Sequence, residues 1–108
     1  MSANEQLLAA SAVELRRRIG SKEISPVELL EACIERIARI NPAVNAVTAT
    51  CYDRARAEAK AAEKAALKGE PLGLLHGLPT GIKDLEETGG LLTTFGSQLY
   101  RDFVPAQD

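Results

Sequence analysis

The chain has 108 residues, a formal net charge of -2 and an apolar share of 45%. That apolar share excludes a disordered chain, and the well-mixed charge offers no attraction for nucleic acid or an anionic membrane surface. Aromatic residues are only 4% and Trp is absent, so large core anchors are few and the chain is expected to belong to something larger.

The N-terminal stretch MSANEQLLAA has no basic segment followed by an apolar run, so neither a signal peptide nor a membrane span is expected, and the protein is placed in the cytoplasm. Cys33 and Cys51 are too few for a disulfide framework. Their spacing fits no zinc pattern and the single histidine, His76, cannot complete one. Two reduced, partly buried thiols are expected, with no metal and no cofactor.

Ser11-Ala12-Val13-Glu14 reads as a capping box opening a helix that stops at Gly20, with Leu15 and Ile19 on one face and Arg16, Arg17 and Arg18 on the rest, a solvated basic turn. Ser25-Pro26-Val27-Glu28 repeats the signal with Pro at the first helical position. Val27, Leu30, Ile34 and Ile37 then form an apolar stripe, and Asn41-Pro42 is expected to end the helix. Ala46–Thr50 is expected to be a short edge strand. A third helix is predicted from near Asp53 to Lys68, stopped by Gly69, with Ala55, Ala59, Ala62 and Ala66 on one face that admits a close neighbour. Beyond Gly69 helix signals cease. Leu78–Leu85 is expected to be a strand entered through Pro79, Thr88–Ser97 a Gly/Thr-rich loop, and Gln98–Phe103 the start of a short helix.

His76 could serve a Ser-His-Asp arrangement, but no serine on a strained elbow accompanies it, so a structural or exposed histidine is expected. Lys83 sits at the end of the apolar run 78–82. Taken from spacing alone, it is an edge-strand lysine pointing to water; a buried lysine with a chemical task is the competing reading.

Residues 77–97, GLPTGIKDLEETGGLLTTFGS, resemble the segment around the catalytic lysine of the amidase signature family: Gly-x-Pro, then Ile-Lys-Asp, then Thr-Thr-x-Gly-Ser. The upstream Ser25-Pro26-Val27-Glu28-Leu29-Leu30, Asn41-Pro42 and Asn45-Ala46, and the downstream Asp102 and Val104-Pro105, agree with the same family. The likeness spans residues 11 to 108. It implies an α/β fold, a mixed-sheet sandwich to which this chain gives N-terminal helices and first strands: 1–69 mainly helical, 70–108 strand and loop carrying the lysine motif. It implies amide hydrolysis by Ser–cis-Ser–Lys chemistry, with Lys83 as the base acting through a bridging serine. A lysine in water titrates near ~10.4, so holding it neutral at pH 7 costs roughly 4 kcal/mol, which burial can impose. The neighbouring Asp84 would oppose this, and is expected to turn away and bond to backbone of the following loop. The implied partner is a small-molecule amide; no nucleic acid or membrane is expected, and self-association through the strand region is open. A glutamine-using amidotransferase component is the alternative within the family, and a non-catalytic helical interaction module the alternative outside it.

Neither catalytic serine has a match here; Ser97, the only serine after Lys83, falls in the Thr-Thr-x-Gly-Ser loop. The chain is therefore read as an N-terminal fragment. By itself it should hydrolyse no simple amide, and a fluorophosphonate probe should label none of its serines. Turnover of an amide panel, or a labelled serine, would contradict that reading.

Overall fold

The computed structural model describes all 108 residues, 1–108. It contains four α-helices, α1 (Ala3–Leu8), α2 (Ala12–Gly20), α3 (Pro26–Val44) and α4 (Tyr52–Leu67), and one 3-10 turn, Gln98–Tyr100. The chain divides into two compact units. The first holds Met1–Ala46 and Tyr52–Pro79, the second Val47–Cys51 and Thr80–Asp108.

Three helix starts follow from serine caps. Ser11 Oγ accepts the Glu14 N–H at 3.2 Å. The Glu14 carboxylate does not close the box; it bonds to Arg17 and Arg18 at 2.9 Å each. Those bonds, Arg17 first, lower its carboxyl to about 2. Ser25 and Glu28 form the complete box with Pro26 at the first position. The Ser25 hydroxyl also donates to the Glu63 carboxylate, tying the start of α3 to α4. Helix α1 was not anticipated. Its signal was the same one, Ser2-x-x-Glu5, which forms a full capping box.

The expected end of α3 at Asn41-Pro42 is corrected: the helix runs through Pro42 to Val44. A proline in the last turn removes only one intrahelical bond, to the Ala38 carbonyl, where the helix is about to end anyway. Asn45, left-handed at φ 49°, terminates it and donates its N–H to the Asn41 carbonyl at 2.6 Å. Helix α4 ends as expected. Gly69 has φ +74°, and the N–H groups of Gly69 and Glu70 close on the carbonyls of Ala66 and Ala65.

The core of the first unit is Ile19, Leu29 and Ala66, with Leu15, Cys33, Leu72 and Leu78 packed against it. The alanine face of α4 turns inward as predicted, and α4 packs on α3. The Val27–Ile37 stripe is half-buried or better, yet Leu29 and Ala32 lie deeper. Two turns of α3 are covered from more than one side, so its apolar arc is wider than a single stripe.

No strand forms, which corrects both the Ala46–Thr50 and the Leu78–Leu85 expectations. An extended segment becomes a strand only through a hydrogen-bonded neighbour, and no segment of this chain supplies one. The likeness to an α/β sandwich thus holds here through helices and loops alone.

The route past Leu75 is fixed by Gly77, at φ +79°. A Cβ there would stand 2.8 Å from Pro26 Cγ and 3.2 Å from Ile19 Cδ1, both on buried residues. Gly77→Ala must therefore strain both backbone and core. It should cost about 2–4 kcal/mol, combining the positive φ with overpacking. Urea unfolding followed by helical circular dichroism would measure this, and a loss under half a kcal/mol would contradict the packing described.

Candidate active site

Lys83 opens a turn, its carbonyl accepting the Glu86 N–H at 3.0 Å. The side chain is exposed, as are Ile82 at 54% and Leu85 at 53%. The spacing-based expectation of a lysine pointing to water is what residues 1–108 display, although on a turn and not on an edge strand.

Asp84 does turn away. Its Oδ1 accepts the backbone N–H of Thr94 at 2.7 Å, and its Oδ2 accepts the Thr94 hydroxyl. Thr94 Oγ1 in turn accepts the Gly96 N–H at 3.2 Å. The Thr94 hydroxyl, then the Thr94 amide, hold the Asp84 carboxyl below its ordinary value. This clamp joins residues ten positions apart, and the far end of the loop it closes is conformationally demanding. Phe95 has φ +54° and Gly96 φ +71°, two successive left-handed residues. The second is free for glycine, whereas the first is strained for phenylalanine and needs support from its surroundings.

That support is visible. Thr93 is 2% exposed; its N–H donates to the Phe103 carbonyl at 2.9 Å and its hydroxyl to the Leu91 carbonyl at 3.1 Å. Gly90 N–H reaches the Pro105 carbonyl at 2.9 Å, and Gly89 N–H reaches Asp108 Oδ1 at 2.8 Å. The Phe95 ring meets Tyr100 edge-on at 5.1 Å and stacks on Phe103 at 6.1 Å between centroids. Ser97 is spent as a cap: its Oγ accepts the Leu99 N–H at 3.2 Å at the head of the short turn that had been expected to begin a helix.

His76 lies in the first unit, its Nε2 at 2.9 Å from the Ala62 carbonyl of α4. A ring nitrogen beside a carbonyl oxygen must carry the proton and donate. His76 is bonded to backbone and not to a serine or a carboxylate, so the structural reading of this histidine holds. Cys33 is half-buried, and burial pushes its thiol up, away from the reactive thiolate. The residues that spacing alone did not single out are Thr93 and Thr94. Their cue lay in the Thr-Thr-x-Gly-Ser string, which gives two hydroxyls ahead of a glycine.

The family model for amidases matches residues 28–108, a span that takes in Lys83, Asp84, Thr93 and Thr94. The chain belongs to the amidase signature family. It is 42% identical over 96 residues to a glutamyl-tRNA(Gln) amidotransferase subunit of Rippkaea orientalis, covering 89% of this chain and 20% of that protein. It is also 42% identical over 96 residues to an acylamidase of Rhodococcus erythropolis, covering 87% of this chain and 20% of that protein. Among solved structures it superposes on a bacterial aryl acylamidase of the amidase signature family with TM-score 0.84 and 38% identity, over 90% of this chain and 20% of that one. The chain thus spans about a fifth of the length of the relatives it matches.

The Asp84 clamp makes the loop pH-dependent. Its carboxyl is depressed in the folded chain, so the clamp is fully present above the ordinary value near 3.8 and is lost as pH falls through the lower folded value. Protection of the Thr94 amide, relative to an unstructured amide at the same pH, should hold down to pH 4 and fall as the Asp84 carboxylate takes up its proton below that, while Asp84→Ala, which removes the acceptor, should leave it unprotected at every pH. A Thr94 amide indifferent to both changes would show that the bond is not formed in solution.

Proposed function

We propose that this chain supplies the base of an amide hydrolase, Lys83, and the loop that fixes it. The reading is carried by one observation: the family match runs through Lys83-Asp84 and Thr93-Thr94, where Asp84 is bonded to Thr94 and not to the lysine. On this reading Lys83 acts through a bridging serine on a nucleophilic serine, both outside residues 1–108. Neutral lysine takes a proton from the bridging serine as that serine takes one from the nucleophile, whose oxygen attacks the amide carbonyl. Collapse of the tetrahedral intermediate breaks the C–N bond, and the proton returns along the same path to the departing amine. Water then attacks the acyl-enzyme, losing a proton to the relay, and releases the acid. The apolar cover that would keep the lysine neutral comes from outside these residues, as does the sheet that would pair residues 78–85.

The substrate proposed is a small carboxylic amide. The likeness to an acylamidase at 42% identity supports it, and the solved aryl acylamidase at 38% points to anilide-type substrates. A second reading is favoured by the equally similar amidotransferase component, in which ammonia freed from glutamine is passed to an acyl group held by a partner. Under that reading the whole protein works with other polypeptides and a tRNA-bound substrate. The interaction-module reading gains from the exposure of Lys83, but it gives no reason for a carboxylate clamp beside it. A cytoplasmic setting remains part of the proposal; no helix here is long and apolar enough to cross a membrane.

The test is a chimaera in which this chain replaces the matched fifth of the Rhodococcus erythropolis acylamidase, assayed on an anilide and on glutamine. Lys83→Ala should lower kcat about 10²–10⁴-fold with little change in KM. His76→Ala should lose less than threefold, since its ring holds backbone only. Near-parental activity in Lys83→Ala would refute the assignment of the base, and a collapse in His76→Ala would revive a histidine-based mechanism.

A further inference from the structure

We propose that Thr94 is a positioning residue for Lys83, an inference that rests on the lysine being the base: with its N–H and hydroxyl it occupies both oxygens of Asp84, fixing the turn that presents the lysine and keeping the adjacent carboxylate from becoming its counter-ion. The need is chemical. A carboxylate next in sequence to a lysine can reach it, and an opposite charge at close range stabilises the ammonium and removes the base. Asp84 is occupied on both oxygens by one residue.

Thr94 is itself immobilised. Its carbonyl accepts the Ser97 N–H at 2.9 Å and its Oγ1 accepts the Gly96 N–H at 3.2 Å, so every polar group it has is committed. Its neighbour Thr93 is buried and bonded to the Phe103 carbonyl. A donor pair held this firmly selects one orientation of the carboxylate. The other acidic groups of the same unit are Glu86, Glu87, Asp102 and Asp108. Glu86 and Glu87 are exposed on the turn, Asp102 lies 3.7 Å from Arg101, and Asp108 accepts from Gly89.

The hydroxyl is the testable part, because Thr94→Val keeps the shape and the N–H while freeing Oδ2, and Thr94→Ser keeps the hydroxyl. In the acylamidase chimaera, the acid limb of the kcat/KM profile should move up by about one pH unit in Thr94→Val, the least that a close opposite charge produces. It should stay in place in Thr94→Ser, and return when Asp84→Asn is added to Thr94→Val. A loss of kcat equal at all pH values, with the limb unmoved, would mean that Thr94 only stabilises the loop, and would overturn the proposal. If Lys83→Ala is as active as the unsubstituted chimaera, the base assignment fails, whatever Thr94 does.

The 108-residue chain gives an independent arm. Exchange of the Glu86 amide, which is bonded to the Lys83 carbonyl, should quicken about tenfold in Thr94→Val, the effect of losing a hydrogen bond to a charged group. It should be unchanged in Thr94→Ser. Equal Glu86 exchange in Thr94→Val and the unsubstituted chain would show that Thr94 does not fix the lysine turn, with or without an active chimaera.

Discussion

Between Gly69 and Ser97 the backbone has neither a helix ladder nor a sheet ladder, so its shape depends on the bonds that reach across it. The Asp84–Thr94 pair is the most demanding of these, with one carboxylate facing two donors of one residue. Charged acceptors make the stronger hydrogen bonds, so this pair contributes more than a neutral bond across the same loop would. Next to it come the left-handed Phe95, whose ring packs on Tyr100 and Phe103, and the Gly96 N–H bonded to the threonine hydroxyl. In the first unit, side-chain contacts to backbone fix the loop after α4: Arg16 Nε donates to the Gly73 carbonyl at 2.8 Å, and His76 to that of Ala62.

The helices were legible because their signals are local. A serine followed three residues later by glutamate marks a start wherever it falls, and a glycine free to take positive φ marks a stop. Ser25 with Glu28, and Gly69, were readable from a few residues each. The end of α3 was misjudged because the restriction on the residue before a proline is a preference only, and Asn41 stays helical in a last turn that Asn45 closes. The depth of Leu29 was not readable either. It depends on α3 being covered from more than one side, which α1 and α4 bring about and a single-helix pattern does not encode.

The strands were misread for a different reason. The segment from Leu78 to Ile82, Leu-Pro-Thr-Gly-Ile, has large apolar residues only at its ends, with a proline and a glycine between them that disfavour a strand interior. Composition states a tolerance for pairing, while pairing itself needs a second segment in register. Within residues 1–108 that second segment is absent, so the same residues are left with Ile82 and Leu85 half exposed. The site divides along the same line. The bond between Asp84 and the backbone of the following loop was expected, although the strand alternation that argued for it does not form; the surroundings of Lys83 depend on distant residues.

On the proposed reading of Lys83 as a base, this division bears on how such a base is assembled. Lowering the proton affinity of a lysine takes two separate conditions: removal of water, and absence of a compensating negative charge. The first is a property of the surroundings as a whole and is missing at Lys83 here. The second is local: Asp84 keeps its charge, but its two oxygens face the donors of Thr94 in place of a contact ion pair with the lysine. Satisfying the local condition in the loop itself has a physical advantage. A lysine and an aspartate buried together would gain so much from pairing that later cover would strengthen the ion pair instead of neutralising the lysine. With the carboxylate oxygens turned to hydrogen-bond donors, its pull on the ammonium does not act through a contact pair, and burial meets less opposition in favouring loss of the proton. On that reading of Lys83 as a base, an aspartate whose oxygens are held by Thr94 can sit beside it without forming a contact ion pair.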